Sequence, residues 1–333
     1  MNQMSDRAQR LYGDALVWDM TMPHEGTGVR PALKAGALDR LVACGYGCVS
    51  LSVCGDLSPL EEVVRVLARE RAYLRRHADK YALVGTADEV LAARRAGKLA
   101  VFFQFQGTDP LGREPGMVEA YYQLGVRMML LAYNQKNAVG DGCYERTDGG
   151  LSRYGQTIIR EMERVGMLLD LSHTGYRTTL DALEMATRPV VFSHSNAHAV
   201  RPHPRNIRDD QIRGCARTGG VIGINGVSSF LTPENDCSTT FILRHIDHVA
   251  QLVGPAHVGI GLDWLVDPDS ALDLFAAHPD TWPEEDFEDP DRYAAPEQML
   301  EIAEGLLALG YADDDVRGIL GGNWLRVCRE VWR

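Results

Sequence analysis

Side chains of catalytic type close a series of short apolar runs in this chain: Asp19 and Thr21 the first, Gln106 the third, Tyr133 the fourth, His173 the fifth, His194 the sixth, Asn225 the seventh and Asp263 the eighth. Imidazoles bind zinc-like divalent ions, and a carboxylate beside an activated water can take a proton and return it. His173 and His194 thus offer two ligands for one metal, and Asp263 a general base or acid. A catalytic zinc usually has three protein ligands and a water. The residues alone leave the third open: Asp263 itself, the amide oxygen of Gln106, or Asp19 reaching across. Without a metal, the two imidazoles read as hydrogen-bonded core residues. Tyr133 offers a hydroxyl to a developing oxyanion. Arg205, in His203-Pro204-Arg205-Asn206, has the forked guanidinium that suits a carboxylate.

These residues are far apart in the sequence, so elements must bring them together. The runs span 15–21, 47–53, 99–106, 126–133, 167–173, 189–194, 219–225 and 258–263. They are rich in Val, Ile, Leu and Phe and alternate little with polar residues, as strands covered on both faces do. A helix-like stretch follows each. Ser58-Pro59-Leu60-Glu61 reads as a capping box with proline at the first helical position, and Leu60, Val63, Val64, Leu67 and Leu74 then share one face. Amphipathic periods recur near 153–165, 178–186, 209–218 and 240–252. Strand then helix, eight times, predicts an α/β protein of the (β/α)8 TIM-barrel type, whose chemistry sits where the strands end. Two long loops, 134–152 and 264–296, fall on that face, so Asn134 and Asn225 are expected beside the substrate. The acidic cluster in the second loop, Glu284, Glu285, Asp286, Glu288, Asp289 and Asp291, reads as solvated surface.

Composition narrows the function. With 333 residues, 45% hydrophobic and 24% charged, the chain supports one domain over 1–333. A net charge of −12 without a basic run argues against nucleic acid and acidic membranes as partners. No stretch approaches 18 apolar residues and the first residues lack a leader-like apolar core, so a cytoplasmic protein is expected. Seven scattered cysteines, an odd number, fit reduced thiols. His245 and His248, one turn apart on an outer helix, read as packing residues. A small molecule is the expected ligand.

The segments LGVRMMLLAY, GLSRYGQTIIREMERVGMLLDLSH, PVVFSHSNAHAV, HPRNIRDDQIR, GGVIGIN, HIDHV, VGIGLDW and GGNWLRV occur in an order that resembles the renal (membrane) dipeptidase family, peptidase family M19. The resemblance implies a barrel whose parent members hold two zinc ions and hydrolyse dipeptides. It also implies that His173 and His194 match two metal ligands, Asp263 the acid/base carboxylate, and Arg205 the arginine that holds the substrate carboxylate. Other positions depart from the family. Its His-x-Asp is Asp19-Met20-Thr21 here, its bridging glutamate is Gln106, and its substrate-polarising histidine aligns with Tyr133. The expectation is a divergent hydrolase of an amide or peptide bond in a dipeptide or related small carboxylate. It would hold one divalent metal, zinc, rather than two. Association into a homo-oligomer is compatible with it. The rivals are a non-catalytic binder of carboxylated small molecules, and a metal-free lyase or isomerase using Asp19 and Asp263.

Overall fold

The computed structural model of the chain describes residues 4–23, 31–283 and 291–333; His24 and the acidic run 284–290 lie outside the described residues. Among the described residues nine strands form one parallel sheet: β1 (Trp18–Pro23), β2 (Cys48–Gly55), β3 (Tyr81–Leu83), β4 (Leu99–Gln106), β5 (Val126–Leu130), β6 (Leu168–Asp170), β7 (Val191–Phe192), β8 (Val221–Ile224) and β9 (Val258–Ile260). Their order is β1-β2-β4-β5-β6-β7-β8-β9, the expected eight, and β3 is an addition that lines up with the first residues of β4. From Phe103 onward β5 pairs with β4 instead.

The sheet closes by side chain as well as backbone. Asp263 N donates to Thr21 O at 3.2 Å, and Leu262 N donates to Asp19 Oδ1 at 3.0 Å. A TIM barrel results, with helices outside it, including Arg153–Val165, Tyr176–Met185, Asp209–Arg217 and Thr239–Val253. Trp18, Met20, Phe102, Met128, Leu168, Val191 and Val221 belong to one buried cluster, which Trp324 and Trp332 complete. Gly259 lies so close to the Trp324 indole that a Cβ there would collide with it, and a Cβ at Gly223 would collide with the Ser193 carbonyl oxygen. The Trp324 Nε1 donates to Ile260 O at 3.1 Å, which pins the Gly-Gly-Asn-Trp segment to β9.

The first long helix corrects the sequence reading. It runs Leu60–Arg76 with Pro59 as its cap, in extended conformation, and no side chain caps it. Ser58 Oγ instead accepts Gly55 N at 3.2 Å, in the turn that leaves β2. Beginning the helix at Leu60 leaves Leu60 and Val64 47% and 48% exposed, while Val63, Val66, Leu67, Glu70 and Leu74 are buried. A reciprocal capping box does exist at Thr86 and Glu89, ahead of the helix Ala87–Arg95. All seven cysteines are free thiols. Among the described residues no helix is long and apolar enough to cross a membrane.

Candidate active site

The strand ends set their side chains with unusual backbone. Asn134, His173 and Asp263 have φ of 61°, 60° and 58°, three of the five non-glycine residues with positive φ among those described. Such residues concentrate at functional sites because the left-handed conformation turns the chain sharply and re-aims the side chain.

His173 and His194 meet at the centre. Their Nε2 atoms are 2.9 Å apart and both rings are buried. His173 Nδ1 lies 2.7 Å from Asn134 Oδ1, and the Asn134 amide nitrogen donates to Thr281 O at 2.9 Å. His194 Nδ1 lies 2.6 Å from Ser193 Oγ and 3.1 Å from Thr21 Oγ1. Burial, and the positive charge of Arg205 beside them, hold both imidazoles well below their ordinary pKa, so both are neutral. Two neutral imidazoles fixed from behind, with their Nε2 atoms turned to one point, are a donor pair of the kind a divalent ion with nitrogen affinity takes. The residues fit a metal to that extent. Among the described residues no group of three or more His, Cys, Asp or Glu is gathered to hold one. Completion of a site would fall to a single carboxylate or to the Gln106 amide.

Around this pair, Gln106, Tyr133, Asn134, His173, Arg205 and Asp263 line one cavity of about 70 Å³. Its other walls are largely apolar, among them Val227, Phe230, Phe275 and Trp282. The Tyr133 ring stacks on His173 at 3.9 Å between centroids, and Trp282 meets Tyr133 edge-on at 5.7 Å. His173 and Arg205 also border a larger, polar cleft of about 480 Å³. Arg205 is buried, donates from Nη2 to His194 O at 3.2 Å, and has an Nε with no partner among the described residues. Burial raises the Asp263 carboxyl to about 6, against the lowering effects of Arg205 and of the Asn225 amide, which donates to its Oδ2 at 3.2 Å. Asn225 stands behind Asp263, with its own Oδ1 accepting Val227 N at 2.6 Å. Burial also pushes the Tyr133 hydroxyl up, so it stays protonated and able to donate.

Asp19 lies at the barrel seam, its Oδ1 accepting Thr21 N at 3.2 Å as well as Leu262 N. Burial raises it to about 8 despite those two bonds. A carboxyl raised in the folded state binds a proton that the unfolded chain has already lost, so folding loses stability as pH rises from about 4 to about 8. The isostere Asp19→Asn is therefore expected to melt close to the parent at pH 4. Above pH 8 it should melt several degrees higher, since each kcal/mol is worth about 2–4 °C in larger domains. Thermal melts of both proteins across this range check it; a gap that does not widen with pH would show that the Asp19 carboxyl ionises in the fold as it does in the unfolded chain.

The sequence reading missed several residues. Asp56, after β2, accepts Asp109 N and Tyr133 N, each at 2.9 Å, and the Asn137 amide at 2.9 Å, tying the ends of β2, β4 and β5 together. Asp170 accepts Ser172 N and Ser193 N on Oδ1, at 3.0 and 2.9 Å, and the Ser193 hydroxyl on Oδ2. A buried acid inside an apolar run is the signal that marks Asp170. Asp56 has none, being one acidic residue in a turn.

A profile of the membrane dipeptidase family, peptidase family M19, matches residues 58–333. An uncharacterized dipeptidase of Schizosaccharomyces pombe is 34% identical over 255 residues, covering 74% of this chain and 57% of that protein. The dipeptidase verJ of Clonostachys rogersoniana is 32% identical over 265 residues, covering 78% and 62%. The chain spans somewhat under two thirds of the length of these relatives. Among solved structures, an amidohydrolase from Pseudomonas aeruginosa superposes with a TM-score of 0.87 at 27% identity, covering 98% of this chain and 99% of that one.

Proposed function

Since the chain belongs to the membrane dipeptidase family, peptidase family M19, we propose that it hydrolyses the amide bond of a small substrate bearing a free carboxylate, with a divalent metal at His173 and His194. The observation that carries this reading is one cavity lined by an imidazole, a guanidinium, a carboxylate and a protonated phenol, all from segments that follow the strands on one face of a barrel. Zinc is the ion that suits the imidazole pair, one rather than two, with Asp263, Gln106 or Asp19 completing its ligands. When bound, the metal supplies polarisation of the substrate carbonyl and a more acidic water.

The chain's own residues do the rest. Arg205 holds the carboxylate with two parallel hydrogen bonds, which places the scissile bond. Asp263, ionised above about pH 6, takes a proton from the attacking water and returns it to the leaving nitrogen. Tyr133 donates its hydroxyl to the oxygen that gains charge. The aromatic walls, Phe230 and Trp282 among them, exclude bulk water and strengthen each of these interactions.

Two measurements test the reading. Zinc-reconstituted protein is screened for release of amine from dipeptides, N-acyl amino acids and related amides. No turnover across the panel, with saturable binding of one of those compounds, would favour the non-catalytic binder. Arg205→Lys is expected to weaken binding of such a carboxylate by about tenfold or more, because an ammonium is a point charge and cannot reproduce the guanidinium fork. Calorimetry reads it, and parent-like binding would make Arg205 a structural residue. The same reading takes the chain as one domain that acts on small molecules, and its seven free thiols fit a reducing compartment such as the cytoplasm.

A further inference from the structure

The partners behind the two imidazoles have hydrogens already committed, and counting them fixes where the imidazole hydrogens go. Ser193 has one hydroxyl hydrogen and gives it to Asp170 Oδ2, so toward His194 Nδ1 its Oγ can only accept. Thr21 Oγ1 is nearer to Met20 O, at 2.8 Å, than to His194 Nδ1, at 3.1 Å; with its hydrogen on Met20 O it too accepts from His194 Nδ1. Asn134 has its amide nitrogen on Thr281 O, which turns its oxygen, an acceptor, to His173 Nδ1. Both rings must therefore carry hydrogen on Nδ1. The two Nε2 atoms, 2.9 Å apart, then both present lone pairs. That arrangement is repulsive unless something positive sits on both.

We propose that Asp170, acting through Ser193, and Asn134 are positioning residues that hold His194 and His173 as Nδ1–H tautomers and so aim two lone pairs at one point, where a divalent cation would be held. The inference rests on the metal reading given above for its purpose, but not for its test. The direction of the hydrogen bonds runs from imidazole to serine to carboxylate, the order in which partners behind metal-binding histidines fix ring orientation.

Asp170→Asn reverses that direction without changing shape. Its oxygen must stay on Ser172 N and Ser193 N, which Asp170 Oδ1 accepts in the parent, so its new NH₂ faces the Ser193 hydroxyl. Ser193 then accepts from Asn and has its own hydrogen free for His194 Nδ1. His194 moves its hydrogen to Nε2, where it donates to His173.

The experiment is nitrogen-15 NMR of the histidine rings in metal-free parent and Asp170→Asn protein at one pH, with His173→Gln and His194→Gln used to assign signals. Zn²⁺ titrations by calorimetry and thermal melts of the same proteins accompany it. Expected are Nδ1–H for both rings in the parent and Nε2–H for His194 in the variant. Zinc should bind the variant about 10–100-fold more weakly, with the metal-free melting temperature unchanged or higher. Nε2–H on either ring of the parent, an unmoved tautomer in the variant, or zinc taken up by both proteins with equal affinity would overturn the proposal. If the variant does not fold, the parent spectrum decides alone. A parent with the two Nδ1–H rings that takes up no zinc would remove the metal reading and leave the positioning assignment standing.

Discussion

Asp263→Asn is expected to lower turnover by about 10²–10⁴-fold, the range that general acid–base catalysis contributes. The substitution is a fair test because little else changes. Asparagine adopts the left-handed backbone found at this position, with φ of 58°, and its oxygen can take over the bond from the Asn225 amide at 3.2 Å. Arg205 and the two imidazoles are left in place. Parent activity is expected to rise as pH passes about 6, where Asp263 loses its proton, and that limb is expected to vanish in the variant. Zinc content measured on the same protein separates the roles: retention with lost turnover makes Asp263 the proton carrier, and loss of zinc makes it a ligand. Turnover equal to the parent's would remove Asp263 from the chemistry.

His173→Ala or His194→Ala is expected to abolish zinc uptake, where the parent holds about one equivalent. Two neutral nitrogens are the foundation of the site, and a lone imidazole with one carboxylate holds zinc weakly. Elemental analysis after reconstitution and gel filtration measures it. Two equivalents in the parent would bring Asp19 and Gln106 into a second site; none would favour binding or metal-free chemistry. The same histidines govern acid sensitivity. Both sit well below their ordinary pKa in the fold, so below about 6.5 the unfolded chain takes up protons that the native state refuses. The metal-free parent should therefore lose stability as pH falls through that value, and each alanine variant should lose less.

The barrel was legible because parallel strands, covered on both faces, are written as continuous apolar runs. Every one of the eight begins within three residues of the observed strand. Their ends were less clear. The run 126–133 stays apolar past the end of β5 because Leu131 and Ala132 are buried in the turn that leads to Tyr133. β3 escaped notice because Tyr81–Leu83 is too short to show a period. His173, Arg205 and Asp263 declare themselves by residue type. Ser193 and Asp170 act through hydrogen bonds whose direction only the fold reveals, and a hydroxyl such as that of Ser193 passes for filler in an apolar run. The helix start at Leu60 was misplaced because Ser58 had two backbone groups to choose from, and took Gly55.

The left-handed backbone at residues 173 and 263 also limits what this site can become. Aspartate, asparagine and histidine enter that conformation more readily than other side chains, whereas glutamate and cysteine, the other metal-binding types, fit it poorly. Neither His194 nor Gln106 carries such a constraint. A protein engineer seeking a different metal preference, or a lineage drifting toward one, would thus have a short alphabet at two positions and a long one at the other two. Gln106→Glu, which would put a carboxylate into the same cavity on ordinary strand backbone, is the open door.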